Sequence, residues 1–339
     1  MTTRTKANPL FVSALFILGP ILLIACFAWH LSTGVMGLTL IDFKEVIFAK
    51  DWESNTYEVL MTLRLPNTLA ITLAGAALAA SAAMLQGLTR NRMAAPTTFG
   101  LTEMTSLALL VTWPSMTNIP HSSTVSIITA VSAITGCLIG CIILYIMFRM
   151  LKIPLTSIQL IFAGALIGTT AHFFSLLLRL YMGHTFDQGA IFISVLGHGI
   201  FKGESYALAS LIVVALIGAM ILSFFISKHY YQEKNAGVVV YSLSAIVVIV
   251  MTGMAVWLVG PVACVGFVTA ALLSKWSRNN YRIIIPGSAI IGAILLLLVS
   301  LLSKLISPIT DMPLAHTTNA VAIPLFIVML WNHYRKTKM

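Results

Sequence analysis

Charged side chains are scarce in this sequence. Only 9% of its 339 residues are Asp, Glu, Lys or Arg, and 59% are hydrophobic, whereas about 25% of the residues in ordinary soluble domains are charged. Cysteine is rare too: the chain has four, all inside apolar runs, so no disulfide framework is indicated. These absences argue against a soluble or disulfide-stapled domain and favour a polytopic membrane protein.

Signatures of catalysis and of nucleotide or metal binding are missing as well. The chain has no G-x-x-x-x-G-K-[ST] loop to hold phosphates and no soluble stretch long enough for a nucleotide-binding domain. It also has no G-x-S-x-G, H-E-x-x-H or Cys-x-x-Cys motif, so no catalytic residue, metal site or cofactor is predicted. His172, His184 and His198 lie too far apart for a local metal site and are expected to be interfacial or pore-lining.

Long apolar runs are what the sequence does contain. Each of ten runs approaches the roughly 20 residues that cross a bilayer as a helix. They lie at about 10–30, 67–86, 98–113, 124–149, 155–180, 206–227, 238–258, 261–274, 283–303 and 320–334. The sequence therefore predicts an all-α polytopic membrane protein with about ten transmembrane helices, forming a single domain over residues 1–339.

The basic residues predict the orientation of these spans. Most of the 20 Lys and Arg residues fall at the two termini and in the segments 87–97, 150–154, 228–237 and 275–282. The positive-inside rule places such segments in the cytoplasm, together with both termini. The same rule accounts for the net charge of +10, so no nucleic-acid partner is predicted and the bilayer is the expected environment.

Two stretches stand out for their small residues and helix breakers. Residues 64–100 read RLPNTLAITLAGAALAASAAMLQGLTRNRMAAPTTFG, and Gly75, Ala79 and Ala83 recur there every four positions. This spacing puts them on one helix face, where they are expected to pack closely against a neighbouring helix along the transport path. Gly260 and Pro261 interrupt a second apolar run and predict a broken or short helix.

Both stretches resemble the FecCD-type permease subunits of ABC importers for iron(III)-siderophores, haem and vitamin B12. The first is similar to RLPR-x-LA-x3-GAALA-x-SGA-x-xQ-x-x-x-RNPLA-x-P-x-x-LG, and the second to GPIGFIGLVVPHIxR. Blocks at 282–298 and 311–330 follow in family order. Asn67 and Arg92-Met93 are departures from the first pattern. The residues that match it are Arg64, Leu65, Pro66, Leu69, Ala70, Gly75, Ala76, Ala77, Leu78, Ala79, Ser81, Gln86, Arg90, Asn91, Ala94, Pro96 and Gly100.

The resemblance implies a multi-pass permease of the bacterial inner membrane that carries an iron(III)-siderophore by alternating access. A second permease subunit, identical or paralogous, would complete the path, and separate cytoplasmic ATPase subunits would hydrolyse ATP. An extracytoplasmic substrate-binding protein would deliver the ligand and dock on basic residues at the outer mouth, which match Arg64 and Lys304 here. The alternative for these two residues is that they merely anchor helix ends at the interface.

Coupling to the ATPase is where the chain departs most from its apparent relatives. The family has two short helices, L-x-LGE-x-x-A-x-x-LG, between its sixth and seventh spans, whereas this chain has only SKHYYQEKNAGV at 227–238. Tyr230, Tyr231 and Glu233 are expected to make a reduced contact, supplemented by Lys275 and Arg278. The alternative is that a paralogous subunit transmits most of the force.

Glu103 is the one carboxylate well inside an apolar run. Intramembrane acids mark functional sites by default, although a salt bridge to the nearby Arg90 or Arg92 would also account for it. If Glu103 were a coupling acid, the chain would be a proton- or sodium-coupled secondary transporter, which is the alternative to an ABC permease.

Overall fold

The computed structural model describes residues 9–33, 59–116, 123–152, 158–182, 204–232, 237–306, 314, 317–321 and 324. All the regular structure within these ranges is helical, which confirms the predicted all-α class. The helices are α1 (Pro9–Ser32), α2 (Leu65–Thr89), α3 (Leu101–Met116), α4 (Ser123–Leu151), α5 (Ile158–Met182), α6 (Glu204–Gln232), α7 (Val238–Val259), α8 (Val265–Trp276) and α9 (Tyr281–Ile306). A π-helical turn, Val59–Arg64, runs directly into α2.

Seven of these helices are long and apolar enough to cross a membrane, so the chain is a multi-pass membrane protein. They are α1, α4, α5, α6, α7, α9 and the continuous helix formed by the π-helical turn and α2. Helices α3 and α8 account for two further predicted spans, 98–113 and 261–274. The tenth predicted span, 320–334, falls mostly outside the described residues.

Helix α2 lies at the centre of the bundle. It contacts α9 most extensively, and also α7, α8, α6 and α1. Seven of its eight alanines are almost completely buried, because residues without large side chains allow neighbouring backbones to come close. Such close packing is what holds membrane helices together, since lipid supplies no hydrophobic drive between them.

The segment 90–100 folds back onto the bundle after α2. Arg90 ends α2 in the left-handed conformation, with φ of 54°, and Ala94, Ala95 and Phe99 are buried. The Thr98 side chain holds the turn: its Oγ1 accepts a hydrogen bond from the Ala95 amide at 2.9 Å and donates one to the Met93 carbonyl at 2.8 Å. The segment predicted as a polar loop at 87–97 is therefore helical up to Thr89, and its residues 94–96 are buried.

This fold-back places the start of α3 against the middle of α5. Gly100 has φ of 70°, and a Cβ there would lie 2.5 Å from the Gly168 nitrogen and 2.6 Å from the Gly164 carbonyl oxygen. With 16 residues, α3 extends only about 24 Å, and the 12-residue α8 about 18 Å. Both are shorter than the roughly 30 Å hydrocarbon core, so two of the predicted spans are short helices packed inside the bundle.

Candidate functional site

The two predicted docking residues meet at the C-terminal end of α1. Arg64 Nη1 donates hydrogen bonds to the carbonyl oxygens of Leu31 at 3.0 Å and Ser32 at 3.3 Å. Lys304, in the last turn of α9, donates from Nζ to the carbonyl oxygen of Thr33 at 3.1 Å. We call this part of the bundle the Lys304 end.

These contacts have a simple electrostatic cause. The last carbonyl groups of a helix have no intrahelical partner, and they carry the negative end of the helix dipole, which attracts cations. Arg64, the last residue of the π-helical turn before α2, and Lys304 of α9 reach the same helix end. The geometry fits the helix-anchoring alternative, while docking of a binding protein at these residues stays a prediction.

His30 lies just inside the Lys304 end and bridges three helices. The side chain is buried, with 1% of its surface exposed. Its Nδ1 lies 2.9 Å from Thr68 Oγ1 on α2, and its Nε2 lies 2.9 Å from Ser300 Oγ on α9. The Thr68 hydroxyl donates to the Arg64 carbonyl oxygen at 2.7 Å, so its oxygen accepts from Nδ1–H, and Nε2 accepts from Ser300. This network assigns a neutral imidazole with the proton on Nδ1.

No motif in the sequence marks His30, because its partners lie 38 and 270 residues away along the chain. The available signal is compositional. A histidine inside an apolar span must find hydrogen-bond partners, because unsatisfied polar groups are costly in hydrocarbon. Lys304 also donates to the His30 carbonyl oxygen at 3.4 Å, so the buried network and the two cations join at one helix end.

Gly75 and Ala79 of α2 lie against α9, and both are buried. A Cβ at Gly75 would lie 2.5 Å from the Gly292 carbonyl oxygen, and a Cβ at Gly292 would lie 2.3 Å from Ala79 Cβ. Ala79 and Ala83 have no exposed surface. These residues hold two helices at close range, and their expected part in a transport path stays a prediction.

Gly260 and Pro261 form the break between α7 and α8. Gly260 has φ of 78°, and its amide donates to the Val256 carbonyl oxygen at 2.8 Å. A Cβ at Gly266, in the first turn of α8, would lie 2.4 Å from the Leu78 carbonyl oxygen of α2. The break therefore allows α8 to start deep in the bundle against α2, as α3 starts deep against α5.

Glu103 lies beside a histidine near the middle of a span. Its Oε2 lies 3.6 Å from His172 Nδ1, and His172 lies just past the midpoint of the 25-residue α5. The sequence predicts, as one alternative, a salt bridge from Glu103 to Arg90 or Arg92, because these arginines lie close to it in the sequence. The fold-back of 90–100 carries Glu103 away from the start of that turn, so the partner found within the described residues is His172.

The opposite end of the bundle, which we call the Arg90 end, contains part of the predicted coupling segment. Tyr230 is half-buried and its ring lies 5.1 Å from that of Tyr281. Arg90 Nη2 donates to the His229 carbonyl oxygen at 3.0 Å, and His229 Nε2 lies 3.2 Å from the Tyr241 hydroxyl. The turn after α2 is thus tied to the last turn of α6.

For the other predicted coupling residues, the structure describes the position on the chain more than the side-chain contacts. Arg278 is exposed, with φ of 51°, in the turn between α8 and α9. Tyr231 is on α6 and Lys275 on α8, with their side chains outside the description, and Glu233 lies outside the described residues. ATPase coupling through these five residues stays a prediction.

Metal and cofactor chemistry has no visible site in the described part of the chain. No group of three or more His, Cys, Asp or Glu side chains there could hold a metal ion. The four cysteines are all free thiols. What the geometry offers instead is a polar network at the Lys304 end, the Glu103–His172 pair near the middle of α5, and a turn after α2 that is hydrogen-bonded to α6 at the Arg90 end.

Comparison with known proteins identifies the relatives of this architecture. The model of the FecCD transport family matches residues 22–332. The chain is 27% identical over 312 residues to the iron-uptake system permease protein FeuB of Bacillus subtilis (strain 168), covering 89% of each chain. It is 26% identical over 309 residues to the iron(3+)-hydroxamate import system permease protein FhuB of the same strain, covering 88% of this chain and 78% of FhuB.

A third relative and a solved structure extend the comparison. The vitamin B12 import system permease protein BtuC of Salmonella paratyphi A is 27% identical over 318 residues, covering 89% of this chain and 94% of BtuC. A chain solved in an inward-facing conformation, from an ABC transporter assigned to the metal-chelate type, matches with a TM-score of 0.71 and 20% identity. That match covers 96% of this chain and 100% of the solved one, and it supports the fold alone. The chain belongs to the FecCD transport family and is an ABC importer permease.

Proposed function

We propose that this permease carries an iron(III)-siderophore complex across the bacterial inner membrane. The observation that carries the proposal is the similarity over 89% of the chain to an iron-uptake permease. The match to an iron(3+)-hydroxamate permease is of similar extent. Vitamin B12 is the competing cargo, because the BtuC match has the same identity as the FeuB match. The named relatives are all import-system permeases, so they lend no support to an ion-coupled carrier.

The proposed machine needs further chains. The sequence has no phosphate-binding loop, so we assign ATP hydrolysis to separate cytoplasmic ATPase subunits. We assign ligand delivery to an extracytoplasmic binding protein that docks at the Lys304 end, and completion of the path to a second permease subunit. Both termini are then cytoplasmic, in accordance with the distribution of basic residues.

In this scheme, transport results from a shift in the equilibrium between two conformations of the helix bundle. A partner shifts that balance only as far as it binds one arrangement better than the other. The binding protein would act at the Lys304 end and the ATPase at the Arg90 end, so their effects on each other would be reciprocal. The permease itself performs no covalent chemistry.

Uptake by a deletion strain tests the cargo. Cells lacking this chain would be given one radioactive iron chelate at a time, of the hydroxamate, catecholate or carboxylate class, and labelled vitamin B12 in a parallel arm. We expect uptake of one class of iron chelate to be lost and to return when the gene is restored. Loss of vitamin B12 uptake with all iron chelates unaffected would contradict the proposal.

A second experiment tests the partners. The tagged chain would be purified from its native membrane in mild detergent, and the proteins that accompany it would be identified. The expected companions are ATPase subunits and a second permease subunit, identical or paralogous, with as many ATPase subunits as permease subunits in total. Purification of the chain without any ATPase, from membranes that still support uptake, would contradict the assembly.

A further inference from the structure

Glu103 and His172 form a polar pair on the outer surface of the single chain, close to the middle of α5. The His172 side chain is 70% exposed and that of Glu103 is 31% exposed. The exposed neighbours on α5 include the apolar Phe173 and Leu176, and Thr169, whose hydroxyl donates to the Ala165 carbonyl oxygen of its own helix. A polar pair therefore interrupts a surface that composition alone would assign to lipid.

Lipid is an unfavourable neighbour for such a pair. Charged side chains at the centre of a bilayer cost about 2.5–3.5 kcal/mol each on insertion scales, and they almost always face a bundle interior or a water-filled cavity. Elsewhere in the described parts of the chain, the exposed positions at the middle of α1, α4, α6, α7 and α9 carry no ionisable side chain. The surface shared by α3 and α5 is thus the exception within the described bundle.

Arg179 extends this feature along α5. It lies seven residues after His172, hence two helical turns farther on nearly the same face, toward the end of α5 predicted to be outside. Its Nε is buried without a hydrogen-bond partner among the described residues, and its charge acts on the Glu103 carboxylate. We call Glu103, His172 and Arg179 the polar seam.

The chemistry of the polar seam indicates what it would bind. The imidazole and the guanidinium offer N–H donors, and Arg pairs well with planar, oxygen-bearing groups. The carboxylate orients the imidazole and accepts from donors on the ligand. Oxygen acceptors on a metal chelate are suitable partners for this set.

We propose that the polar seam lines the water-filled transport path and forms a ligand-contact site for the oxygen atoms of a passing metal chelate. The inference rests on the proposed function, because it takes the path to be that of an importer for such chelates. It assigns the α3 and α5 surface to the path, and Glu103 to specificity.

Cysteine labelling in the native membrane tests the location. Thr169, exposed one turn before His172, and Leu176, exposed one turn after it, would be replaced one at a time by cysteine. Ile217, exposed near the middle of α6, provides the matched control. Labelling by a membrane-impermeant anionic methanethiosulfonate is measured as the increase above the unsubstituted chain, whose Cys137 and Cys264 are buried and whose Cys26 and Cys141 are half-buried.

Thr169→Cys or Leu176→Cys should react at least about tenfold faster than Ile217→Cys, because the charged reagent is excluded from hydrocarbon. Using two positions guards against one variant failing to assemble. Protection of both positions at the level of Ile217→Cys would overturn the proposal. That protection together with cross-links from these cysteines to a second subunit would assign the surface to a protein interface instead.

Charge dependence of the labelling tests the residues themselves. Arg179→Gln should lower the rate of the anionic reagent relative to a cationic one about two- to threefold, and Glu103→Gln should raise that ratio by a similar factor. If neither substitution changes the ratio of the anionic to the cationic labelling rate, the polar seam does not line the path. These labelling measurements do not require a cargo. If labelling is as expected but the cells take up no iron chelate, the proposed function is contradicted, while the inference that the polar seam is exposed to water still stands.

Discussion

Arg64 and Lys304 both donate hydrogen bonds to the C-terminal end of α1. Arg64 reaches the carbonyl oxygens of Leu31 and Ser32, and Lys304 reaches those of His30 and Thr33. Two cations that are 240 positions apart in the sequence thus satisfy carbonyl groups that α1 leaves unpaired. Any test of docking at these residues must therefore separate the loss of a binding surface from the loss of a helix anchor.

Double charge reversal, Arg64→Glu with Lys304→Glu, tests docking of the binding protein. We expect affinity to fall at least about tenfold at low salt and less at high salt, because exposed charges are screened within about 8–10 Å at physiological ionic strength. Affinity would be measured by surface plasmon resonance on the reconstituted transporter. A neutral pair, Arg64→Gln with Lys304→Met, serves as the control for the anchor. Equal affinity for all three proteins, combined with lower thermal stability of the variants, would leave only the anchoring role.

The His30 network should contribute measurably to stability. Replacing His30 with alanine removes the hydrogen-bond partner of Ser300 and one of the two partners of Thr68, and leaving a buried polar group unpaired costs about 1–3 kcal/mol. We expect a lower unfolding temperature in detergent, and a non-additive response when His30→Ala is combined with Ser300→Ala. Ser13→Ala, at an exposed position of α1, is the control and should change nothing. Additive effects of the two buried substitutions would show that the histidine does not bridge the helices.

The Gly75 and Ala79 face of α2 should tolerate no larger side chain. Ala79→Phe would have to displace α9 at Gly292, and overpacking of a fitted interface costs about 1–3 kcal/mol. We expect loss of uptake and of detergent stability, measured by size-exclusion chromatography after heating. Ala245→Phe, on the exposed surface of α7, adds the same ring to a lipid-facing position and should leave both readings unchanged. A stable, active Ala79→Phe protein would mean that α2 and α9 separate easily.

Removal of the predicted coupling side chains should weaken stimulated ATP hydrolysis. The test variant combines Tyr231→Ala and Glu233→Ala with Tyr230→Phe, which keeps the ring that packs against Tyr281. We expect it to lower binding-protein-stimulated hydrolysis about fivefold or more, since truncating an anchor residue of an interface can cost over 1 kcal/mol. Hydrolysis and co-purification of the ATPase would be measured on the assembled transporter. If both are unchanged, the segment 227–238 is not the coupling element.

Local sequence patterns predicted most of the helices, because hydropathy and small-residue spacing are read within one span. They did not predict the burial of Ala94 to Ala95 or the half-depth start of α3, because that fold-back depends on Gly100 meeting Gly164 and Gly168 of a helix some 65 positions later. The partner of Glu103 was missed for the same reason. Sequence distance favoured Arg90 and Arg92, whereas tertiary packing brought His172 to the carboxylate.

Some of the polar residues at the Lys304 end could be identified from the sequence, and others could not. Arg64 and Lys304 carry a family pattern, so they could be named in advance, although their contact with one helix end could not. His30, Thr68 and Ser300 lie on three different spans, and each alone reads as an ordinary polar residue in an apolar run. Only the bundle geometry shows that they satisfy one another.

The smoothness of the central helix affects how fast the bundle can rearrange. If α2 and α9 were packed through large interdigitated side chains, sliding one helix past the other would break those contacts and meet an energy barrier. The contact is formed by Gly75, Ala79 and Gly292, which have small side chains or none. The barrier to sliding of α2 along α9 is therefore low at this contact. We expect shear along this contact, rather than bending of α2, to be the motion through which force at one end of the bundle reaches the other.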